Sequence, residues 1–434
     1  PDGLFPEREF ELELVSGIVQ PEANTYMLKA GAKQGIFIPV SRVNTAYEYY
    51  KKLLDHDAVL SGKQGLPGSK EDFMLNKLDA DDDWRVNIVW TDIKEAGGHN
   101  DIEKAGLSEL SEQGGSGLGS YIYVKPGQTP GNVLIEIKSG KIKGNPTLWS
   151  WHIWIVDNYP TVLDVASQGG DGPKTVHLMS HLLGAYERVQ SQYSADAYRE
   201  FGMQYQWGRK DPFPAHDVRV NKNFYDGSGK LFDFLWEQRG NDVDYGKTDA
   251  QQARGAALTM KQSIEHPNAI VSHQSFWLYE CFPHRFVSYF KDRWVFLYPW
   301  NQPSRTGNPE DVGGKTVFDP SPYGFRIMSQ KEAVTLRSAY YYASRSGLNT
   351  PLPGSIYDGS FTDGKSGGNE VIFAVAQARS DTHAGRYLLN STGGPAGWAP
   401  TSNTSAVYRR CMTYSVRPVI DPDVQEDYKK YLPE

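Results

Sequence analysis

The sequence predicts a mainly β chain: an N-terminal β-sandwich over residues 1–157, then an α+β domain over residues 158–434. Three observations predict it. Aromatic residues reach 13% of the 434 positions, with 11 Trp, 26 Tyr and 18 Phe, and 43 Gly and 26 Pro supply the turns between them. Such side chains suit a half-buried pleated surface, and Gly and Pro suit its connections. In the first part, short apolar segments recur with period two. After residue 160 a few helical patterns stand among long loops rich in Gly, Asp, Asn and Pro, which argues for α+β rather than a doubly wound sheet.

Each element has its own signal. Residues 36–40 form a short apolar strand. Residues 84–90 alternate, with Trp84, Val86, Ile88 and Trp90 on one face. Strands are expected again at 121–124, after the Gly-rich loop 114–119, at 131–138 and at 149–156. Their spacing reads as an antiparallel sandwich. An amphipathic helix is expected over 45–54. A boundary falls near Asp157, Asn158, Tyr159 and Pro160. Beyond it, 195–206 reads as helical with Tyr198, Phe201 and Tyr205 on one face, and 249–264 reads as a helix that stops before Pro267. The clearest helix is 329–343, because Ser329 and Glu332 have the spacing of a capping box.

Composition excludes several classes. The formal net charge is -7, with no long basic run to track phosphates, so nucleic acid is not an expected partner. No run of about 18 apolar residues exists to span a bilayer. The chain opens at Pro1 without a signal-like segment, so any export signal is expected to have been removed or to be left out of this sequence. Cys281 and Cys411 are too few for a cysteine zinc site, and their bridging is left open.

Motifs with chemistry are weak. Gly313, Gly314, Lys315 and Thr316 resemble the end of a phosphate loop, but Pro309 stands where the loop needs glycine. A strand over 175–179 would separate His177 from His181, and no metal or cofactor is expected. No nucleophile has a fitting context. Asp79, Asp81, Asp82 and Asp83 read as a solvated loop or a weak cation site. Trp149, Trp151 and Trp154 would suit a sugar platform, yet core packing is the stronger reading. Arg209 and Asp211 are expected to hold a loop by charge-assisted bonds, and Trp207 to fill a core.

From Gly202 to Pro214 (GMQYQWGRKDPFP) the sequence resembles the major paralogous domain of Fibrobacter and Bacteroidetes surface proteins, a branch of the C-type lectin-like fold. Asp319 to Arg326 (DPSPYGFR) is similar to its next signature, and Ser415 to Val419 to its closing strand. Leu148 to Trp154 resembles a segment that precedes the domain in Bacteroidales fimbrillin-like proteins. The resemblance covers residues 145–420, with a weaker likeness of the first part to a fimbrial β-sandwich. It departs at Ser321 and Pro418, where family members often carry cysteine, and at Met179 to Ala185. Gln302, Pro303 and Ser304 lack the last carboxylate of a calcium-dependent sugar element.

The resemblance implies a non-catalytic surface adhesin, of the tip or minor pilus type, extracellular and attached to other pilus subunits. It would bind a glycan or a host or bacterial surface protein. Trp207, Arg209, Asp211, Asp319 and Arg326 would be structural, and Tyr357, Asp358, Asp363, Asn369 and Trp398, in polar Gly-rich loops, would contact the ligand. The alternatives are a carbohydrate-active enzyme, a lectin-fold oxidase, and a pilus subunit without ligand.

Overall fold

The structure, a computed structural model, describes residues 7–8, 21–56, 74–94, 106–114, 119–140, 145–166, 173, 175–188, 197–215, 222–232, 235–237, 260–271, 301–303, 312–329, 331–333, 335–336, 355–357, 360–362, 370–378, 384–390 and 413–421. They are mostly β, arranged in several sheets.

The first part supplies Glu7–Arg8 (β1), Thr25–Lys29 (β2), Ile36–Pro39 (β3), Trp84–Thr91 (β4), Leu107–Gly114 (β5), Ser120–Pro126 (β6), Gly131–Ser139 (β7) and Thr147–Val156 (β8). A helix, Arg42–His56 (α1), joins β3 to the segment before β4. One sheet has the order β2-β8-β7-β4 and a second β3-β6-β5. The expected strands all form. One pairing departs from the antiparallel expectation: β2 runs parallel to β8, with Thr25 opposite His152. These strands lie far apart in the chain, so no hairpin dictates their sense.

The helix α1 starts before the expected position. Ser41 donates to Glu22 Oε1 at 2.8 Å, and Arg42 pairs with the same carboxylate at 3.4 Å, which organises the first turn. Val43, Ala46 and Tyr50 recur at helical spacing and are buried. Strand β8 lies inside the four-stranded sheet, between β2 and β7, with all ten residues buried. The three tryptophans expected there as core are each 0% exposed.

The second part supplies Val162–Ala166 (β9), Thr175–Met179 (β10), Met203–Gln206 (β11), Phe213–Pro214 (β12), Leu235–Glu237 (β13), Ala269–Val271 (β14), Asn301–Pro303 (β15), Val312–Lys315 (β16) and Phe325–Arg326 (β17). It continues with Ser355–Tyr357 (β18), Ser360–Thr362 (β19), Glu370–Ala378 (β20), Ala384–Asn390 (β21), Thr413–Ser415 (β22) and Val419–Ile420 (β23). Two five-stranded sheets result, β1-β9-β10-β23-β17 and β12-β11-β22-β20-β21.

Two expectations are corrected here. The described part of the segment expected as a helix over 195–206 is a short 3-10 turn, Ala197–Glu200, followed by strand β11. Gly202 separates them at φ 60, where a side chain would meet the Leu183 carbonyl. Beyond it the ladder to β12 and β22 decides for strand. The closing strand expected over 415–419 is two strands in different sheets: β22 ends at Ser415 and β23 begins at Val419. Residues 416–418 carry the chain across, and the Arg417 guanidinium donates to Met179 O at 3.0 Å.

The helix signals later in the chain hold where described. Residues 331–333 and 335–336 are helical. Ser329 N donates to Glu332 Oε2 at 2.7 Å, and Glu332 N donates to Ser329 Oγ at 3.2 Å, which is the reciprocal capping expected from the spacing. Helix Met260–Glu265 (α2) is the described end of the 249–264 expectation. Residues 313–315, of the phosphate-loop-like string, lie in β16.

Across the expected boundary at 157–160 the two parts share one core. Phe318 inserts its ring beside Tyr49, Tyr50 and Trp149, at 6.0, 5.9 and 6.1 Å between centroids. Asn24 donates to Val317 O and Asp319 O, both at 2.7 Å, and Arg42 donates to Val317 O at 2.8 Å. Tyr225, on a hairpin of the second part, exchanges two 2.8 Å backbone bonds with Thr91 at the end of β4.

Candidate functional site

The residues expected to be structural are buried and meet in two frames. In the first, Trp207 is 0% exposed and Arg209 is 1% exposed. The turn that follows β11 points the Arg209 guanidinium at the end of α2. It donates to His266 O at 2.7 Å, Gln206 Oε1 at 3.2 Å, Ser263 O at 3.4 Å and to Ala269 O. Its guanidinium lies over the Phe213 ring at 4.7 Å. The planar fork suits several fixed acceptors at once.

Asp211, one turn on, reaches β8. Its Oδ1 accepts from Ser150 Oγ at 2.6 Å and from Lys210 Nζ at 2.7 Å. Arg209 Nε stands 3.9 Å from its other oxygen. Lys210 Nζ also donates to Ser150 O at 3.0 Å and to Ser150 Oγ, and lies 4.5 Å over the Trp149 ring. Burial lowers the Lys210 ammonium to about 8, against the opposing pull of Asp211.

The second frame lies around Asp319. Its two carboxylate oxygens accept from Ser321 N at 2.7 Å and Ile327 N at 3.0 Å. Burial raises its pKa, although Lys315 and these amides oppose the shift. Lys315 donates to Ser321 O, Pro322 O and Phe325 O at 2.9, 2.8 and 3.1 Å, so one ammonium gathers the whole turn. Burial lowers it to about 8. Arg326 makes a two-pronged pair with Glu332 at 2.8 and 2.7 Å. Burial opposes the Glu332 charge, but Arg326 and the Ser329 bonds outweigh it and hold the carboxyl below its ordinary range.

Sequence reasoning missed a third arrangement, a buried polar chain between the two parts. Asn132 Nδ2 donates to Asp92 Oδ2 at 2.9 Å and to Gly184 O at 3.0 Å. Its Oδ1 therefore accepts from His152 Nε2 at 2.8 Å, which places the imidazole proton on Nε2. The bare Nδ1 faces Tyr205 OH at 3.2 Å and Thr25 Oγ1 at 3.3 Å. Thr25 sends its proton to Pro320 O at 2.6 Å, so Tyr205 is the donor to the ring. Tyr186 closes the far end on Asp92. Burial pushes His152 down to about 3, and the ring stays neutral. These partners are distant in the chain, and only Trp-Ser-Trp-His within an apolar strand hinted that a polar residue would need a buried partner.

Chemically, Ser150, Lys210 and Asp211 contain a hydroxyl, an amine and a carboxylate in contact. They are 1%, 3% and 1% exposed, and their bonds lie inside the fold. In the 79–83 loop Asp79 N donates to Oδ2 of the half-buried Asp82 at 2.8 Å, and Asp79 Oδ1 accepts from Lys77 Nζ at 2.6 Å. Among the described residues no group of three or more His, Cys, Asp or Glu could hold a metal ion, and no helix is long and apolar enough to cross a membrane. Of the residues expected to contact ligand, Tyr357 ends β18 opposite Ser360. Asp358, Asp363, Asn369 and Trp398 lie outside the described residues, as do Cys281 and Cys411. No protein-family model, curated protein or solved structure matches this chain.

Proposed function

We propose that the chain is a non-catalytic adhesion protein of a cell surface, a fimbrial tip or minor pilus subunit. On this reading the four- and three-stranded sheets form a fimbrillin-like sandwich, and residues 158–434 form a C-type lectin-like domain. One observation carries the reading. The polar residues that the two signature segments contribute, Arg209, Lys210, Asp211, Asp319 and Arg326, are at most 4% exposed and are bonded inside the fold. They build a rigid frame and leave recognition to the surface it supports.

Incorporation into a fibre would add a strand to a sheet edge, where backbone bonds supply affinity and alternate side chains supply register. The edges of the four-stranded sheet meet the second part at Thr25, bridged to Pro322, and at Thr91, bridged to Tyr225. Strand β5 is an edge of the other sheet, with Ser108, Glu109 and Glu112 exposed.

The test is binding of the purified chain to an array of glycans and host-matrix proteins, with calcium and with chelator. A specific hit is expected. A blank array from demonstrably folded protein would overturn adhesion in favour of a structural subunit. The alternative, a carbohydrate-active enzyme suggested by the many aromatic and acidic residues, predicts turnover of a polysaccharide panel by the purified chain, and such turnover would decide for it.

A further inference from the structure

We propose that the outward face of the three-stranded sheet is a platform for an uncharged glycan chain, built from Phe37, Tyr121 and Tyr123 and flanked by Glu109, Ser111 and Lys125. The inference rests on the adhesion reading and names its ligand class and site. Strand β6 alternates strictly, with Ile122 and Val124 buried and Tyr121, Tyr123 and Lys125 partly exposed. Register places Phe37 of β3 beside Tyr123, and Ser111 of β5 on its other side. The Phe37 ring lies 5.0 Å from Tyr123 and 6.4 Å from Tyr121. Three rings thus adjoin on one sheet face.

The platform is held in place. Gly35 N donates to Tyr123 OH at 3.0 Å, and the ring rests where a Cβ on residue 35 would meet Tyr123 Cζ at 2.9 Å. Accepting this bond fixes the ring and keeps the hydroxyl proton as a donor. Rings anchored on strands present large contact area with little rotamer entropy to lose.

Charge selects the occupant. Glu109 and Lys125 lie directly across the ladder and carry opposite signs, so the flank has no net charge. A polyanion meets Glu109 and a basic protein segment meets Lys125. An uncharged pyranose chain satisfies both groups through its hydroxyls and lays its C–H faces on the rings.

The experiment measures binding of the full chain to immobilised neutral glucans, mannans and galactans, with dextran sulfate and host-matrix proteins alongside. Tyr121→Ala and Tyr123→Ala are compared with wild type, and thermal melts report folding. Tyr123→Phe keeps the ring should the alanine variant fail to fold, and Glu109→Gln perturbs only the polar flank. The expected result is binding to a neutral polysaccharide, weakened on the order of tenfold or more by either alanine and less by Tyr123→Phe. Full binding by the folded alanine variants, or binding to dextran sulfate alone, would overturn the platform. Capture of a matrix protein without any neutral glycan would overturn the platform and leave adhesion standing. Glycan binding lost in the variants while attachment to cells is unchanged would keep the platform and remove its role in adhesion.

Discussion

His152 shows how a single residue ties burial to solution behaviour. Its folded pKa is about 3 against an ordinary 6.5, from burial, and His181 is lowered to about 3 in the same way, with Arg417 and Arg188 adding to the effect. Below pH 6.5 the unfolded chain takes up protons that the folded chain refuses. Stability from these two groups is therefore complete above about pH 6.5 and falls as pH drops toward 3, by about 1.4 kcal/mol per pH unit for each. Urea midpoints between pH 7 and pH 5 should fall, and His152→Gln should flatten that slope. An equal slope in the variant would refute the assignment. Arg209 makes a parallel case: Arg209→Lys keeps the charge but loses the fork, so unfolding should be easier by about 2–4 kcal/mol in denaturant titration.

Among the elements, the helix entered at Ser329 offers the sharpest contrast. Ser329→Ala removes one of two reciprocal capping bonds and should lower stability by about 1 kcal/mol. Glu332→Gln removes the charge that Arg326 grips at 2.7 Å and leaves a buried guanidinium without its carboxylate. Its loss should be larger, about 3 kcal/mol. Chemical denaturation of both variants measures the difference, and equal losses would mean that the ion pair is inert. Arg417, in the segment that passes from β22 to β23, donates to the carbonyls of Met179 and Ser180 at the end of β10. The eye reads one closing strand there, and the structure makes two.

At the scale of the molecule, the two parts share their core through Phe318, Asn24, Thr25 and the His152 chain. Phe318→Ala should lower stability by about 3–5 kcal/mol, because it empties a site lined by Tyr49, Tyr50 and Trp149. Calorimetry of the wild type should show one transition that includes both parts. Two well-separated transitions, with Phe318→Ala altering only one of them, would show that the shared core does not couple them.

By itself the sequence determined the mainly β class, the strands at 36–40, 84–90, 121–124, 131–138 and 149–156, a helix over 45–54 and the capped entry at Ser329. These are local signals: period two, period 3.6 and side-chain bonds over three residues. It also marked Arg209 and Asp211 as loop-holding groups through charge-assisted bonds, while for Asp319 and Arg326 it is the resemblance that implies a structural role. Tertiary structure decided what those groups hold. The parallel pairing of β2 with β8, the strand at 203–206, the chain from Asp92 to Tyr205 and the insertion of Phe318 all join residues distant in sequence. Tyr121 and Tyr123 stand between. Their alternation with Ile122 and Val124 was legible as one face of a strand, but only the register with Phe37 assembled three rings on it. Periodicity follows from the backbone's own geometry, whereas partnership depends on which surfaces the folded chain brings together.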